Sequence, residues 1–419
     1  MRYEIEYGDG VLPIEISRLY MLEHTLPKTV VESPHLESHF FQDAESSGFL
    51  RSIADGDRRD SNIAIVLDNP FQCPNSKKIL DSLMDLLEPL GTPLSNITLI
   101  LAIPKHLRSN LDPLMSYLGN PGHRDCVVQV HDEKRESSLR HLGDSHTRSI
   151  PVYMNSRYTD ATHRILLSSV RPSIFTGVTG GAASISSGIC GQKTLHKFHR
   201  IVALNETGLF NVDGVVAETM NEITTLCPPD LAITTTHDNS GTLARIAVGD
   251  LQTSWASAIK DAQSITAARV QRRADIAIVG AGGRGFDGTL YDALESLHAG
   301  FTVTRTGGTI LLIAECSYGP GPDGFVETVS LSESEQDVIT HAETAFENGM
   351  ERSRFFMKVL ESRNLVICSR MRESLVTEKL HCVGVRDPQE GLDIATTKLG
   401  SHSKVTLVQN GSNINPVMD

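Results

Sequence analysis

SNIAIVLD, residues 61–68, sets five apolar residues in a row and closes them with a carboxylate. A continuous apolar run this short reads as a strand covered on both faces. Residues 75–91 follow with Ile79, Leu80, Leu83, Leu86, Leu87 and Leu90 at helical spacing. Ile97 to Ile103 is a second buried run, and it ends at Pro104-Lys105-His106. Strand, helix, strand in that order predicts a parallel sheet with helices on its faces. Such sheets gather ligands at the carboxyl ends of their strands. Asp68 and His106 both fall there. Asp68 suits either a ribose hydroxyl or the cap of the next helix. His106 suits a general base, since histidine titrates near neutrality, or a plain turn residue.

Outward from this unit, YEIEYGDGVLPIEI at 3–16 alternates around a Gly-Asp-Gly turn and reads as a hairpin. Residues 35–55 read as helical, with His35 and His39 on a solvated face. Further strands are expected at 126–130, 164–170, 201–204, 214–217 and 231–234. After Asp250 the pattern restarts: a helix over 251–269, a strand over 275–279, a helix over 288–298 and a strand over 309–314. Helices over 334–349 and 353–361 follow, then strands at 365–368, 382–385 and 405–408. The expectation is an α/β protein of two domains, each with a mostly parallel sheet flanked by helices, and a ligand cleft between them. The first domain is placed at 1–255, with 403–419 returning to it, and a Rossmann-like second domain at 256–402.

Two glycine-rich segments carry chemistry. Gly280, Gly282 and Gly285 spell GxGxxG after a strand. A dinucleotide site also wants an acid about 20 residues on, and the segment FTVTRT at 301–306 has none. IFTGVTGGAASISSGICGQKTLHKFH, residues 174–199, packs Gly177, Gly180, Gly181, Gly188 and Gly191 ahead of a helix bearing His196 and His199. Backbone N–H groups of such a loop can approach an anion, and a histidine beyond it can hold a metal. A tight turn between packed elements would demand the same glycines.

These pieces in this order resemble the nickel-dependent lactate racemase family, whose members bind a nickel-pincer nucleotide. The resemblance runs over nearly the whole chain: YGDGVLPIEI, Asp68, AIPKH, FTGVTGGAASISSGICGQKTLHKFH, GGRGFDGTLYDAL, GGTILLIAECSYGPGPDGF and KVTLVQNG. It implies a racemase or epimerase that removes and returns a hydride at C2 of a 2-hydroxy acid. His199 matches the nickel ligand and His106 one of two catalytic bases, while the second base falls on Ser173. Asp68, Gly177, Gly180, Gly181 and Ser184 would hold the cofactor, and Tyr291, Asp292 and Glu295 would face the substrate. The family's tethering lysine falls on Ala183, its arginines on Ala182 and Phe71, and a further lysine on Glu295. The resemblance therefore implies a noncovalent cofactor and a larger hydroxylated substrate, with Arg171, Lys193, Arg200 and Arg284 as replacement cations. A nickel-free acid–base enzyme such as a lyase, or a non-catalytic ligand-binding protein, stays open on the same fold.

Composition narrows the partners. The 419 residues carry a formal charge of −13, which repels nucleic acid. No apolar run approaches the roughly 20 residues of a membrane span. The acidic, alternating start is no targeting peptide, so the cytoplasm is the expected compartment. Seven cysteines without a CxxC pair fit reduced thiols. The expected partner is a small-molecule substrate, with a homodimer as the allowed assembly.

Overall fold

The computed structural model describes residues 1–17, 21–25, 40, 43–45, 47–55, 61–119, 125–399 and 403–419. His35 and His39 lie outside the described residues; the helix expected near them is described over Phe49–Asp55.

The first six-stranded sheet has the order Leu243–Gly249, Leu231–His237, His163–Ser169, Ile63–Asp68, Ile97–Ala102, Val127–Val130. Its pairs are parallel except the hairpin of Leu231–His237 with Leu243–Gly249. The pleat sorts the Ile63–Asp68 strand between two cores. Ile63, Ile65 and Leu67 face Ile79, Leu83 and Leu87 of the Ser76–Leu87 helix, while Ala64 and Val66 face the other way. The second sheet, all parallel, has the order Val383–Val385, Asn364–Cys368, Thr304–Ile313, Ala274–Gly280, Val405–Val408, Met21–His24. Ala277, Val279, Ile310 and Leu312 share one continuous core with Ala64 and Val66 of the first sheet.

The second sheet departs from the expected chain division. Val405–Val408 lies between Ala274–Gly280 of the second expected domain and Met21–His24 of the first, so chain segments assigned to both domains share this sheet. The amino-terminal hairpin Arg2–Tyr7/Gly10–Glu15 goes with them: Ile5, Ile14 and Ile16 are buried against Ile276, Ile278, Leu311 and Ile313. Hydrophobic burial decides this, because the outer face of the second sheet needs a cover and the hairpin supplies three isoleucines.

Two expected strands are helical. Ile201 to Leu204 closes the Gln192–Leu204 helix, whose buried Thr194, Phe198 and Val202 recur every fourth residue. Gly214 to Ala217 opens the Val215–Thr225 helix, with Gly214 as its cap. Short apolar runs do not separate the two states by themselves. The helix after Asp250 stops at Thr266, and Ala267–Val270 is a strand paired with Asn415–Met418. No described helix is long and apolar enough to cross a membrane.

Candidate active site

The two sheets meet at the carboxyl ends of their strands. The turn after Asp68 touches the turn after Gly280: Gln72 Nε2 donates to the Gly285 carbonyl at 2.6 Å, and a Cβ on Gly285 would sit 2.5 Å from the Phe71 carbonyl oxygen. Gly285 of the GxGxxG run is therefore spent on packing the halves together, and Gly282 packs on Asn410 within the second half. A Cβ on Gly280 would likewise meet the Gln409 carbonyl at 2.2 Å.

His106 sits in the 3-10 turn Lys105–Ser109 that follows the Ile97–Ala102 strand. Its Nδ1 lies 3.5 Å from Asp292 Oδ2, with both side chains under one-fifth exposed. Its ring packs at 4.9 Å on Tyr318. Burial lowers the His106 pKa, against the opposing pull of Asp292. Asp292 is fixed in the first turn of the Leu290–Val303 helix. Thr289 caps that helix, accepting from the Asp292 N–H at 3.1 Å and donating to Asp292 Oδ2 at 2.6 Å.

His199 projects from the Gln192–Leu204 helix, its Nδ1 3.2 Å from Glu351 Oε1 without the alignment of a hydrogen bond. Glu351 is buried, accepts the Gly349 N–H at 2.7 Å, and also accepts the Tyr291 hydroxyl. Burial first, then the Glu351 charge, pushes the Tyr291 hydroxyl well above its ordinary pKa, so it stays a donor. Tyr291 and Asp292 are neighbours. One helix turn thus reaches His199 through Glu351 and His106 directly.

Asp68 ends its strand as expected and accepts the Ser184 hydroxyl at 2.6 Å. Burial raises its pKa to about 6, with Ser184 and Arg171 pulling the other way. Ser173 is not placed as a base. It is 1% exposed; its hydroxyl donates to Glu295 Oε1 at 3.0 Å and accepts from Phe175 N, Thr176 N and Thr176 Oγ1. An oxygen so engaged has no lone pair left for a substrate proton. Glu295 also faces Arg352 Nη2 at 3.5 Å. The Arg352 guanidinium lies between the rings of Phe175 and Tyr291, at 4.4 and 4.5 Å.

The glycine loop is packed against protein. A Cβ on Gly177 would meet the Asn211 carbonyl at 2.1 Å, on Gly180 the Ser169 carbonyl at 2.8 Å, and on Gly181 the Trp255 ring at 2.4 Å. The Gly181, Ala183 and Ser184 N–H groups donate to Ser168 Oγ, the Gly180 carbonyl and the Gly181 carbonyl. These amides are not an open anion cradle.

Of the four replacement cations, the structure brings only Arg171 to Asp68, donating to Gln72 Oε1 at 2.8 Å. Lys193 pairs with Glu136, Arg284 with Asp9, and Arg200 donates to the Ala342 and Glu343 carbonyls. Sequence reasoning missed Glu351, Arg352, Tyr318 and Thr289. Only Thr289 had a signal, since Thr-Leu-Tyr-Asp at 289–292 has capping-box spacing. A cavity of about 510 Å³, lined by Thr309, Asn364, Val383 and Lys398 among others, lies at the amino ends of the second sheet's strands, away from both histidines. Among the described residues no group of three or more His, Cys, Asp or Glu is placed to hold a metal ion.

Two helix-flanked sheets meet at their strand ends, and each of the two carboxylate-paired histidines takes its partner from the other half, in a two-domain α/β fold. Comparison with known proteins agrees in fold and extent. Residues 7–209 match the lactate racemase N-terminal domain and residues 269–415 the lactate racemase C-terminal domain. The chain belongs to the lactate racemase family and is a racemase-type isomerase. It is 19% identical over 382 residues to the lactate racemase of Thermoanaerobacterium thermosaccharolyticum, covering 87% of this chain and 86% of that one. It is 20% identical over 337 residues to the lactate racemase of Lactiplantibacillus plantarum, covering 76% of each. The lactate racemase apoprotein structure from T. thermosaccharolyticum superposes with a TM-score of 0.82 at 18% identity, over 100% of both chains. A Thermotoga maritima protein structure gives 0.73 at 12% identity, over 93% of this chain and 100% of that one.

Proposed function

We propose that this protein is a racemase or epimerase of a 2-hydroxy acid or a related hydroxylated acid, working with a noncovalently bound nickel-pincer nucleotide. One observation carries the reading: consecutive residues Tyr291 and Asp292 tie the ligand histidine and the base histidine to a single helix turn.

The residues present fit the cofactor at its metal. His199 stands with Nδ1 3.2 Å from the buried Glu351 carboxylate, which could turn to support it, and its Nε2 would be the atom to hold nickel. They do not fit a covalent tether, because Ala183 is a buried side chain with no amine. Asp68 and Ser184 would meet the cofactor from the first sheet, while Gly177, Gly180 and Gly181 shape the turn behind them. When bound, the group supplies a hydride acceptor at the substrate carbon.

This chain's residues do the rest. His106, whose pKa burial lowers, takes the substrate hydroxyl proton and returns it. Glu295 and Arg352 neutralise each other beside Ser173, so the site offers a substrate carboxylate less positive charge than a lysine at 295 would. That favours a substrate bound largely through hydroxyl groups.

The test is metal analysis with native mass spectrometry on protein from a host able to make the nickel-pincer nucleotide. Nickel stoichiometric with the chain, and a nucleotide-sized mass released on denaturation, is the expected result. His199→Ala is expected to lose both. A variant that keeps its full nickel removes the ligand assignment. A wild-type chain with neither nickel nor added mass removes the cofactor reading and leaves nickel-free acid–base chemistry.

A further inference from the structure

We propose that Asp292 is a positioning residue that fixes the ring tautomer of His106, making the two a histidine–carboxylate dyad; the inference rests on His106 being the base proposed above. The geometry is specific to this pair. Asp292 Oδ2 stands 3.5 Å from His106 Nδ1, within ion-pair range and ready to shorten into a hydrogen bond when Nδ1 carries the proton. The carboxylate is not free to swing away. Thr289 Oγ1 donates to the same oxygen at 2.6 Å and accepts the Asp292 N–H at 3.1 Å.

The imidazole is held on its other sides as well. The Tyr318 ring packs against it at 4.9 Å. Gly288 leaves room for Nε2, since a Cβ there would come within 2.7 Å of that nitrogen. Arg108, on the same turn as His106, is directed to Glu133 at 2.6 Å and to the Ile103 carbonyl. A carboxylate at Nδ1 places the ring proton there and leaves the Nε2 lone pair to accept the substrate proton. It then stabilises the imidazolium formed during turnover. A neutral amide at position 292 would keep the Thr289 contacts but lose the charge that does both.

Nitrogen-resolved NMR of the histidine rings in the purified protein, wild type against Asp292→Asn, decides the matter, with His106→Gln identifying the signal. The expected wild-type ring is the Nδ1-protonated tautomer. In Asp292→Asn the two tautomers are expected to mix while the melting temperature holds. His106 nitrogen shifts identical in the two proteins overturn the dyad. A ring that responds to Asp292→Asn in a protein without racemase activity upholds the dyad and removes the reaction proposed for it.

Discussion

Asp68→Asn is expected to stabilise the protein above pH 6 and to leave it unchanged near pH 4. Burial lifts the Asp68 carboxyl from an ordinary 3.8 to about 6, with Ser184 and Arg171 only partly offsetting the cost. A carboxyl raised in the fold binds its proton more tightly there than in the unfolded chain. Its favourable contribution is complete below about pH 4, is lost as pH rises through about 6, and stays lost above. The gap corresponds to about 2 to 3 kcal/mol at neutral pH. Asparagine keeps an oxygen to accept the Ser184 hydroxyl, bonded to Asp68 at 2.6 Å, and has no charge to desolvate. Urea denaturation of both proteins at half-unit steps from pH 4 to 8 measures the difference. The variant should pull ahead between about pH 4 and 6 and hold its lead beyond. Parallel curves over the whole range would show that the carboxylate is stabilised by groups outside this account.

Two further substitutions probe the packing of the site. Gly181→Ala sets a Cβ into the Trp255 ring at a φ of +54°, and is expected to cost roughly 2 kcal/mol or more. Trp255 is the chain's one tryptophan, so a shift of its fluorescence reports the displacement directly, and an unchanged spectrum would refute the contact. Glu295→Gln removes the carboxylate 3.5 Å from Arg352, which keeps only the charges of Asp292 and Glu351 nearby. The expected loss is about 2 kcal/mol, below the range of fully buried pairs because both groups keep some exposure; denaturation that matches wild type would count against the pair.

Apolar patterning made most of the fold legible. The runs at 63–67 and 97–101 are buried strands because both faces of each are covered, and uniform apolarity records that. The same signal failed at Ile201 to Leu204, where an apolar run belongs to one face of a helix set by Phe198 and Val202. It also said nothing of sheet partners, which is why it did not show that Val405–Val408 lies between Ala274–Gly280 and Met21–His24. Within the site, Asp68, His106 and His199 stood at strand or helix positions that topology or resemblance marks. Glu351 and Arg352 did not. They act at a distance in sequence, across a fold that only burial and pairing bring together. The glycines of 177–181 show the opposite hazard: a loop composition suited to anions was required by close packing against Asn211, Ser169 and Trp255.

The placing of Met21–His24 beside Val405–Val408 orders the events of synthesis. The first sheet is made from a continuous stretch, residues 63–249, and can close while the ribosome is still at work. The second cannot. Its edge strand and the isoleucines of the amino-terminal hairpin are made first and receive their partners last. For most of translation the chain carries a sticky β-hairpin with nothing to cover it. Such an order of assembly predicts that shielding the hairpin during synthesis raises the yield of folded protein.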